Sequence, residues 1–278
     1  MNEYVYYNGK RGKWGEISVP LSDRSLFFGD AVYDAALGAS GRIYLAKQHN
    51  ERFFDNAKAI GLSLSMSEES FAHLLSEITK ESGFDKFFIY YQLSGYLDER
   101  LHAPRNTERS NLLIVVKPFE EIKKELSLIS FPDRRHSMCH IKTTNLLGSV
   151  IASEEAYLSG ADEAVFHRGI YVTECAHSNI SIIKNGELIT HPRSEYILPG
   201  IMRGELIRAA RCSGIEVRER PFSLSELYSA DDVIITSTSK IAMRAKELNG
   251  MTISTGNHYT GDKLMGILRK DFDNFCNI

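Results

Sequence analysis

The chain has 278 residues, 43% hydrophobic and 25% charged, and its formal net charge at pH 7 is −3. These proportions are typical of globular proteins and exclude collagen-like, coiled-coil and disordered classes. A nucleic-acid partner is not expected, because such domains are strongly basic. No membrane span is expected either, since no apolar run reaches ~20 residues. The N-terminus lacks the pattern of a signal peptide, so we expect a soluble, cytoplasmic protein.

In the first part of the chain, strand and helix patterns are mixed. Apolar residues at three- and four-residue steps favour helices, whereas alternation favours strands. The predicted elements are a strand at Tyr4–Asn8, a hairpin from Val32–Leu37 to Ile43–Leu45, helices over Ala46–Ile60 and from Ser67, and strands at Phe87–Leu93 and Leu112–Val116.

A charged stretch that contains a proline, Lys117–Lys124, follows the last of these strands. Such composition is typical of a linker. We therefore predict a smaller N-terminal domain at 1–117, a linker at 118–124 and a larger C-terminal domain at 125–278.

The second part again mixes the two patterns. The predicted elements are strands at Leu126–Phe131 and His140–Lys142, a helix over Asn145–Ser159, a hairpin from Asn179–Lys184 to Glu187–Thr190, a helix from Pro199-Gly200 through Arg211, a strand at Ile215–Arg220, a short helix capped by Ser223, and an apolar strand at Asp232–Ser237. Frequent hairpins between helices predict an α/β (α+β) class with mixed or antiparallel sheets.

Three possible metal ligands fall within the five residues His136–His140. Structural zinc sites use four ligands, commonly in two separated pairs, and no second pair stands out. We therefore expect no metal.

Two single residues suggest chemistry. Lys142 lies between a predicted strand and a predicted helix, and a desolvated lysine can attack a carbonyl to form a Schiff base. A lysine that extends its ammonium into water is the alternative. Glu174 precedes an apolar strand and is either the partner of a cationic ring nitrogen or a solvated carboxylate.

Two segments suggest an anion site. Ile201 and Met202 begin a helix after Pro199-Gly200, where free N–H groups and the helix dipole favour a phosphate. Thr236–Ser239 ends an apolar strand with hydroxyls, which can form a second phosphate cradle. Alone, each segment is equally an ordinary helix start or polar loop.

The order of these features resembles the fold-type IV pyridoxal-phosphate-dependent enzymes, the class IV aminotransferases. The resemblance covers nearly the whole chain, and the D-amino-acid aminotransferase branch is the most similar. The segments that carry it are Ser22–Arg24, Phe28–Tyr33, His49–Phe53, Ile141–Gly148, Val172–Asn179, Ile197–Arg203 and Thr236–Ser239.

The resemblance implies pyridoxal 5'-phosphate as cofactor and a two-domain architecture. It implies that Lys142 is the catalytic residue, which holds the cofactor covalently and moves a proton. Glu174 is implied to stabilise the protonated ring nitrogen, and Arg52 to bind the phosphate. The other implied cofactor-binding residues are Leu198, Ile201, Met202, Ser237, Thr238 and Ser178.

The resemblance also implies how the substrate is recognised. Tyr33, together with Arg100 and His102 from the partner subunit of a homodimer, is expected to bind the substrate carboxylate. An exposed basic loop is the alternative for Arg100 and His102. The implied reaction is ping-pong transamination between a D-amino acid such as D-alanine and a 2-oxo acid such as 2-oxoglutarate.

Some positions depart from the family pattern. Gly95-Tyr96 stands where the family usually has Arg-Gly, Met202 replaces a threonine, and Cys175–His177 replaces small or hydroxylated residues. Lys240 can supply compensating positive charge. Three alternatives therefore stay open: a branched-chain L-amino-acid aminotransferase, a 4-amino-4-deoxychorismate lyase, and a non-catalytic carrier of pyridoxal phosphate.

Overall fold

The computed structural model describes residues 3–103, 106–120, 125–254 and 256–277. They divide into two compact units. The first comprises Met1–Glu120, Ile141–Asn145 and Phe275–Ile278, and the second comprises Glu121–His140 and Leu146–Asn274.

The units differ from the predicted domains in one respect that matters for function. The segment with Lys142 groups with the first unit, whereas the sequence assigned it to the C-terminal domain at 125–278. Of the predicted linker at 118–124, residues 121–124 lie outside the described residues, and Pro118 is the last residue of a strand.

The first unit contains a six-stranded sheet. Its elements are β1 (Tyr4–Tyr7), β2 (Lys10–Lys13), α1 (Ser25–Phe28), β3 (Ala31–Ala39), β4 (Arg42–Ile43), α2 (Ala46–Ala59), α3 (Glu68–Glu81), β5 (Lys86–Tyr96) and β6 (Asn106–Pro118). The strand order is β2-β1-β6-β5-β3-β4, and neighbouring strands are antiparallel. The predicted hairpin and both predicted helices are confirmed.

An aromatic cluster forms the core of this unit. Phe53 from α2 stacks on Phe71 from α3 with ring centres 5.3 Å apart, and Tyr91 from β5 meets both rings edge-on. Ser67 caps α3 by accepting a hydrogen bond from the N–H of Ser70 at 3.2 Å. Burial of one face of each helix against the sheet thus fixes both helices.

The second unit is built on a ten-stranded mixed sheet. Its elements are β7 (Leu126–Pro132), α4 (Leu147–Leu158), β8 (Glu163–Arg168), β9 (Tyr171–Cys175), β10 (Asn179–Lys184), β11 (Glu187–Thr190), α5 (Ile201–Cys212), β12 (Val217–Glu219), β13 (Phe222–Ser223), α6 (Leu224–Tyr228), β14 (Asp232–Ser237), β15 (Ile241–Leu248), β16 (Met251–Thr252) and α7 (Tyr259–Cys276). Strand β7 runs parallel to β15 and β8, and β11 runs parallel to β12, while the other pairs are antiparallel. The predicted α/β (α+β) class with mixed sheets is confirmed.

Several local predictions in this unit are also confirmed. The hairpin β10–β11 and strand β14 have the predicted limits. Ser223 caps α6 in a capping box with Glu226. Each of these features is formed by residues a few positions apart, so the local sequence is sufficient to predict it.

One strand prediction is wrong. His140–Lys142 forms turns and bends, and only Thr143 makes an isolated bridge, to Val32. The N–H of Thr143 donates to the carbonyl of Ile141 at 2.9 Å, and this tight local turn prevents an extended strand.

None of the described helices is both long enough and apolar enough to cross a membrane. Within the described ranges, no three His, Cys, Asp or Glu side chains are grouped closely enough to hold a metal ion.

A substitution at Gly38 tests how tightly β3 packs against its neighbours. A Cβ atom there would lie 2.2 Å from the Phe87 ring and 2.4 Å from the Arg42 carbonyl oxygen. We predict that Gly38→Ala lowers the free energy of unfolding by about 1–3 kcal/mol, because the buried Phe87 ring has no room to move. Urea unfolding monitored by fluorescence measures this.

Gly266→Ala in α7 is the control, because a Cβ atom there meets nothing within 4 Å. It should raise stability by about 0.5–1 kcal/mol, as alanine does in a helix interior. Equal urea midpoints for Gly38→Ala and the wild type would contradict the packing of β3.

Candidate active site

Lys142 lies beside β3 in the first unit. Its carbonyl oxygen accepts a hydrogen bond from the N–H of Tyr33 at 2.9 Å, and the N–H of Thr144 donates to the carbonyl of Ala31 at 3.1 Å. Its Nζ atom is 4.3 Å from the centre of the Tyr33 ring, which in turn stacks on Tyr90. The structure thus brings together the predicted catalytic lysine and the predicted substrate tyrosine.

Asp34, which follows Tyr33 in β3, forms an ion pair with Arg52. Asp34 is fully buried and accepts hydrogen bonds from Arg52 Nε at 2.8 Å and Nη2 at 2.9 Å. His49 Nδ1 lies 2.7 Å from Asp34 Oδ1, the oxygen that also accepts from Arg52 Nη2. Burial alone would raise the pKa of Asp34, but Arg52 and His49 outweigh it and hold that pKa below its usual value.

This arrangement orients the guanidinium that the sequence assigned to a phosphate. The role of Arg52 toward phosphate stays a prediction, and Asp34 and His49 are positioning residues that sequence reasoning missed. A signal was present, because an acidic residue inside the apolar run Ala31–Ala39 requires a buried cation.

Arg100 and His102 lie in the loop between β5 and β6. The His102 ring is 4.9 Å from the Phe28 ring centre, and the Arg100 guanidinium lies over the same ring at 5.3 Å. Both side chains are thus gathered on Phe28, while the ring contacts of Tyr33 are with Tyr90 and Lys142.

Glu174 ends a chain of buried charges in the second unit. One carboxylate oxygen accepts from Arg135 Nη1 at 2.6 Å, and the other accepts from Asn179 Nδ2 and from the N–H of Leu198, both at 3.0 Å. Arg135 is bound in turn by Asp133. Glu174 is only 5% exposed, yet these donors favour its ionised form.

Leu198, a predicted cofactor residue, is therefore in direct contact with Glu174. Sequence reasoning gave no role to Arg135, which belongs to no recognisable local pattern, or to Asn179, which ends the segment Val172–Asn179. The pKa of Asp133 is lowered by Arg135 and Arg168 against the opposing effect of burial, which favours the ionised form of Asp133.

Helix α5 begins with the two predicted anion-binding residues, Ile201 and Met202. Gly200 precedes them, and a Cβ atom there would lie 1.9 Å from Asn179 Oδ1, so only glycine fits. First-turn N–H groups have no partner within their own helix. They are therefore available to an anion.

Helix α5 packs against β14, whose last residue is Ser237. The Ser237 hydroxyl accepts from the N–H of Lys240 at 3.2 Å, and Thr238 is the first residue of the following turn. Thr236 Oγ1 is buried and has no hydrogen-bond partner among the described residues. Helix N–H groups and hydroxyls are donors that suit a phosphate-bearing group.

Ser178 belongs to a hydrogen-bonded cluster around the buried carboxylate of Glu163. Its hydroxyl donates to Glu163 at 2.8 Å and accepts from Lys240 Nζ at 3.2 Å. Lys240 Nζ also lies 2.9 Å from Glu163 and 3.1 Å from His177 Nδ1. Lys240 is thus the counter-ion of a buried carboxylate, and the role of Ser178 toward the cofactor stays a prediction.

Residues 31–248 match the model of the family Amino-transferase class IV. The chain therefore belongs to the class IV aminotransferases, and its predicted family is confirmed. It is similar to the D-alanine aminotransferase of Staphylococcus epidermidis, with 35% identity over 257 residues that cover 91% of each chain.

Solved structures confirm the fold. A branched-chain aminotransferase from Thermoproteus uzoniensis matches with a TM-score of 0.88 and 24% identity, over 99% of this chain and 97% of that one. A proposed 4-amino-4-deoxychorismate lyase from Legionella pneumophila matches with a TM-score of 0.85 and 26% identity, over 93% and 97%.

Class IV aminotransferases use pyridoxal 5'-phosphate and act on amino acids and 2-oxo acids. The residues of the chain fit this cofactor. They include an amine at Lys142, a buried carboxylate at Glu174, and hydroxyls with helix N–H groups for a phosphate.

The Glu163 cluster leads to a prediction about pH. Burial alone would raise the pKa of Glu163, but His177 and Lys240 outweigh it and lower the pKa from 4.5 to about 2. This stabilisation is therefore fully present above pH 4.5 and is lost as the pH falls toward 2. We predict that the free energy of unfolding decreases across this window.

Glu163→Gln should make this decrease smaller. At pH 7 the variant should be less stable than the wild type by about 3–5 kcal/mol, because Lys240 loses its counter-ion. Urea unfolding at pH 7, 4.5 and 3 measures both effects, and parallel pH profiles for the two proteins would contradict the assignment.

Proposed function

We propose that this class IV aminotransferase transfers the amino group of a D-amino acid, such as D-alanine, to a 2-oxo acid, such as 2-oxoglutarate, by a ping-pong mechanism. The observation that carries the proposal is the placement of Lys142 Nζ 4.3 Å from the Tyr33 ring centre. The 35% identity of the chain to a D-alanine aminotransferase supports the choice of a D-amino acid as substrate.

Lys142 provides the amine that bonds to the cofactor and the base that moves the substrate proton. Pyridoxal 5'-phosphate, when bound, supplies a carbonyl for amino transfer and a ring that withdraws electrons. Lys142 is half-buried, and the Tyr33 ring covers one side of its Nζ atom. The hydrogen bond from the N–H of Tyr33 fixes the Lys142 backbone beside β3.

Glu174 holds a negative charge for the protonated ring nitrogen. Arg135 and Asn179 fix its carboxylate, so the residue does not need to reorganise when the cofactor binds. A carrier without activity would not require such a fixed charge, and this argues for catalysis.

The phosphate is held by a distributed set of donors. Arg52 contributes a guanidinium oriented by Asp34, and α5 contributes first-turn N–H groups. The remaining members of the proposed set are Ile201, Met202, Ser237, Thr238, Ser178 and, against the ring, Leu198. Because Met202 binds through its backbone, the absence of a hydroxyl there weakens the set without removing it.

The substrate carboxylate is bound by Tyr33 and by Arg100 and His102 of a second copy of the chain. Two cationic or donor side chains and a phenol suit a carboxylate. We accordingly propose a homodimer in the cytoplasm. Sedimentation of a monomer at micromolar concentration would contradict the assignment of Arg100 and His102.

A second candidate is another reaction on the same scaffold. The chain resembles the structures of a branched-chain aminotransferase and of a proposed 4-amino-4-deoxychorismate lyase. We therefore keep these two reactions as the alternatives. A lyase would release pyruvate and require no 2-oxo acid acceptor, which separates it from both aminotransferases.

The visible absorption spectrum of the purified holoenzyme distinguishes these functions. We expect D-alanine alone to convert the cofactor to its amine form, and 2-oxoglutarate to restore the original spectrum. L-Leucine should leave the spectrum unchanged. Conversion by L-leucine but not by D-alanine would shift the assignment to branched-chain substrates, and pyruvate release from aminodeoxychorismate would shift it to a lyase.

Lys142→Ala tests the central residue. We predict that turnover of D-alanine falls by at least about 1,000-fold, because the variant loses both the amine and the base. Lys117→Ala is the matched control, since Lys117 Nζ also lies over an aromatic ring, that of Phe88 at 5.1 Å. It should keep wild-type activity, and wild-type turnover by Lys142→Ala would refute the proposal.

A further inference from the structure

Arg24 is a buried arginine that binds the loop between β5 and β6. It is 5% exposed, and its Nε donates to Asp30 Oδ2 at 2.5 Å. Its Nη1 donates to the carbonyl of Leu101 at 3.0 Å, and its Nη2 to the carbonyl of His102 at 3.3 Å. One guanidinium therefore joins a fixed carboxylate to two consecutive carbonyls of the loop.

The Phe28 ring extends this contact to the loop side chains. The Arg24 guanidinium lies 4.7 Å from its centre, that of Arg100 lies 5.3 Å away, and the His102 ring lies 4.9 Å away. Arginine and aromatic faces attract one another. Arg24 and Phe28 thus contact both the backbone and the side chains of the loop.

Gly95 makes room for this arrangement. A Cβ atom there would lie 2.8 Å from both Arg24 Cδ and Asp30 Oδ2, and the Gly95 carbonyl accepts from the N–H of Arg24 at 2.9 Å. The glycine that departs from the family pattern is therefore required where it stands.

We infer that Arg24 is a positioning residue that holds the loop Leu97–Ala103 so that Arg100 and His102 are presented to the substrate carboxylate. The inference rests on the proposed function. Charge-assisted bonds to carbonyls are strong, and the two carbonyls belong to His102 itself and to Leu101, the residue that joins it to Arg100. Arg24 acts through that backbone, so it governs substrate affinity and leaves proton transfer at Lys142 unchanged.

The test variant is Arg24→Lys, which keeps a cation for Asp30 but cannot reach both carbonyls in the fixed fork geometry of arginine. Arg42→Lys is the matched control, because Arg42 also lies over an aromatic ring, that of Phe275 at 5.0 Å, and donates to a carbonyl at 3.0 Å.

For the holoenzyme with D-alanine, we expect Arg24→Lys to raise KM about 10-fold and to change kcat by less than about 3-fold. Arg42→Lys should leave both constants within about 2-fold of the wild type. A fall in kcat with an unchanged KM would overturn the inference.

A double-mutant cycle separates positioning from a general structural role. In the Arg100→Ala/His102→Ala background, Arg24→Lys should cause no further rise in KM, because the side chains that it positions are already absent. The same 10-fold rise in that background would overturn the inference.

Hydrogen exchange of the resting holoenzyme tests the loop without any substrate. Exchange in the loop Leu97–Ala103 should be faster in Arg24→Lys and unchanged in Arg42→Lys. If the wild type does not react with D-alanine, the proposed function fails, while the exchange still decides whether Arg24 holds the loop. Unchanged exchange in Arg24→Lys would overturn the inference.

Phe28→Leu covers the case in which Arg24→Lys does not fold. It removes the shared ring from a half-buried position without leaving a buried charge unpaired. It should raise KM for D-alanine and speed exchange in the same loop, and wild-type values for both would equally overturn the inference.

Discussion

The hydrogen bond from the N–H of Tyr33 to the carbonyl of Lys142 fixes the chemistry of the first unit. It joins residues that are far apart in the chain and seats the lysine beside β3. Because successive strand residues point to opposite faces, Tyr33 is directed to Lys142 while Asp34 is directed to Arg52. One strand thereby positions the Lys142 amine, the phenol that we propose for substrate binding, and the counter-ion of the proposed phosphate-binding arginine.

In the second unit, buried ion pairs position two carboxylates. Glu174 is held by Arg135, and Glu163 is held by Lys240. An unpaired buried carboxylate would take up a proton, since burial disfavours the charged form. His177 and Lys240 hold the pKa of Glu163 below its usual value. Arg135 donates to Glu174, for which we propose a protonated ring nitrogen as a further partner. Lys240, which the sequence suggested as a source of compensating positive charge, is thus the counter-ion of Glu163.

Local signals in the sequence predicted much of this fold. The cap of α3, the turn between β10 and β11 and the glycine before α5 each act over a few residues, so pattern reasoning finds them. The strand predicted at His140–Lys142 failed because the N–H of Thr143 turns back to the carbonyl of Ile141, while the carbonyl of Lys142 accepts from Tyr33 of β3, which is distant in sequence. Asp34 and Arg135 were missed for the same reason, as their partners lie 18 and 39 residues away.

Locating the residue that bonds to the cofactor tests directly whether Lys142 is the catalytic lysine. Borohydride reduction of the purified holoenzyme, followed by proteolysis and mass spectrometry, makes that bond permanent and identifies its peptide. The structure predicts one phosphopyridoxyl group, on Lys142. A modification on Lys240 or another lysine, or no modified peptide from cofactor-loaded protein, would contradict the account.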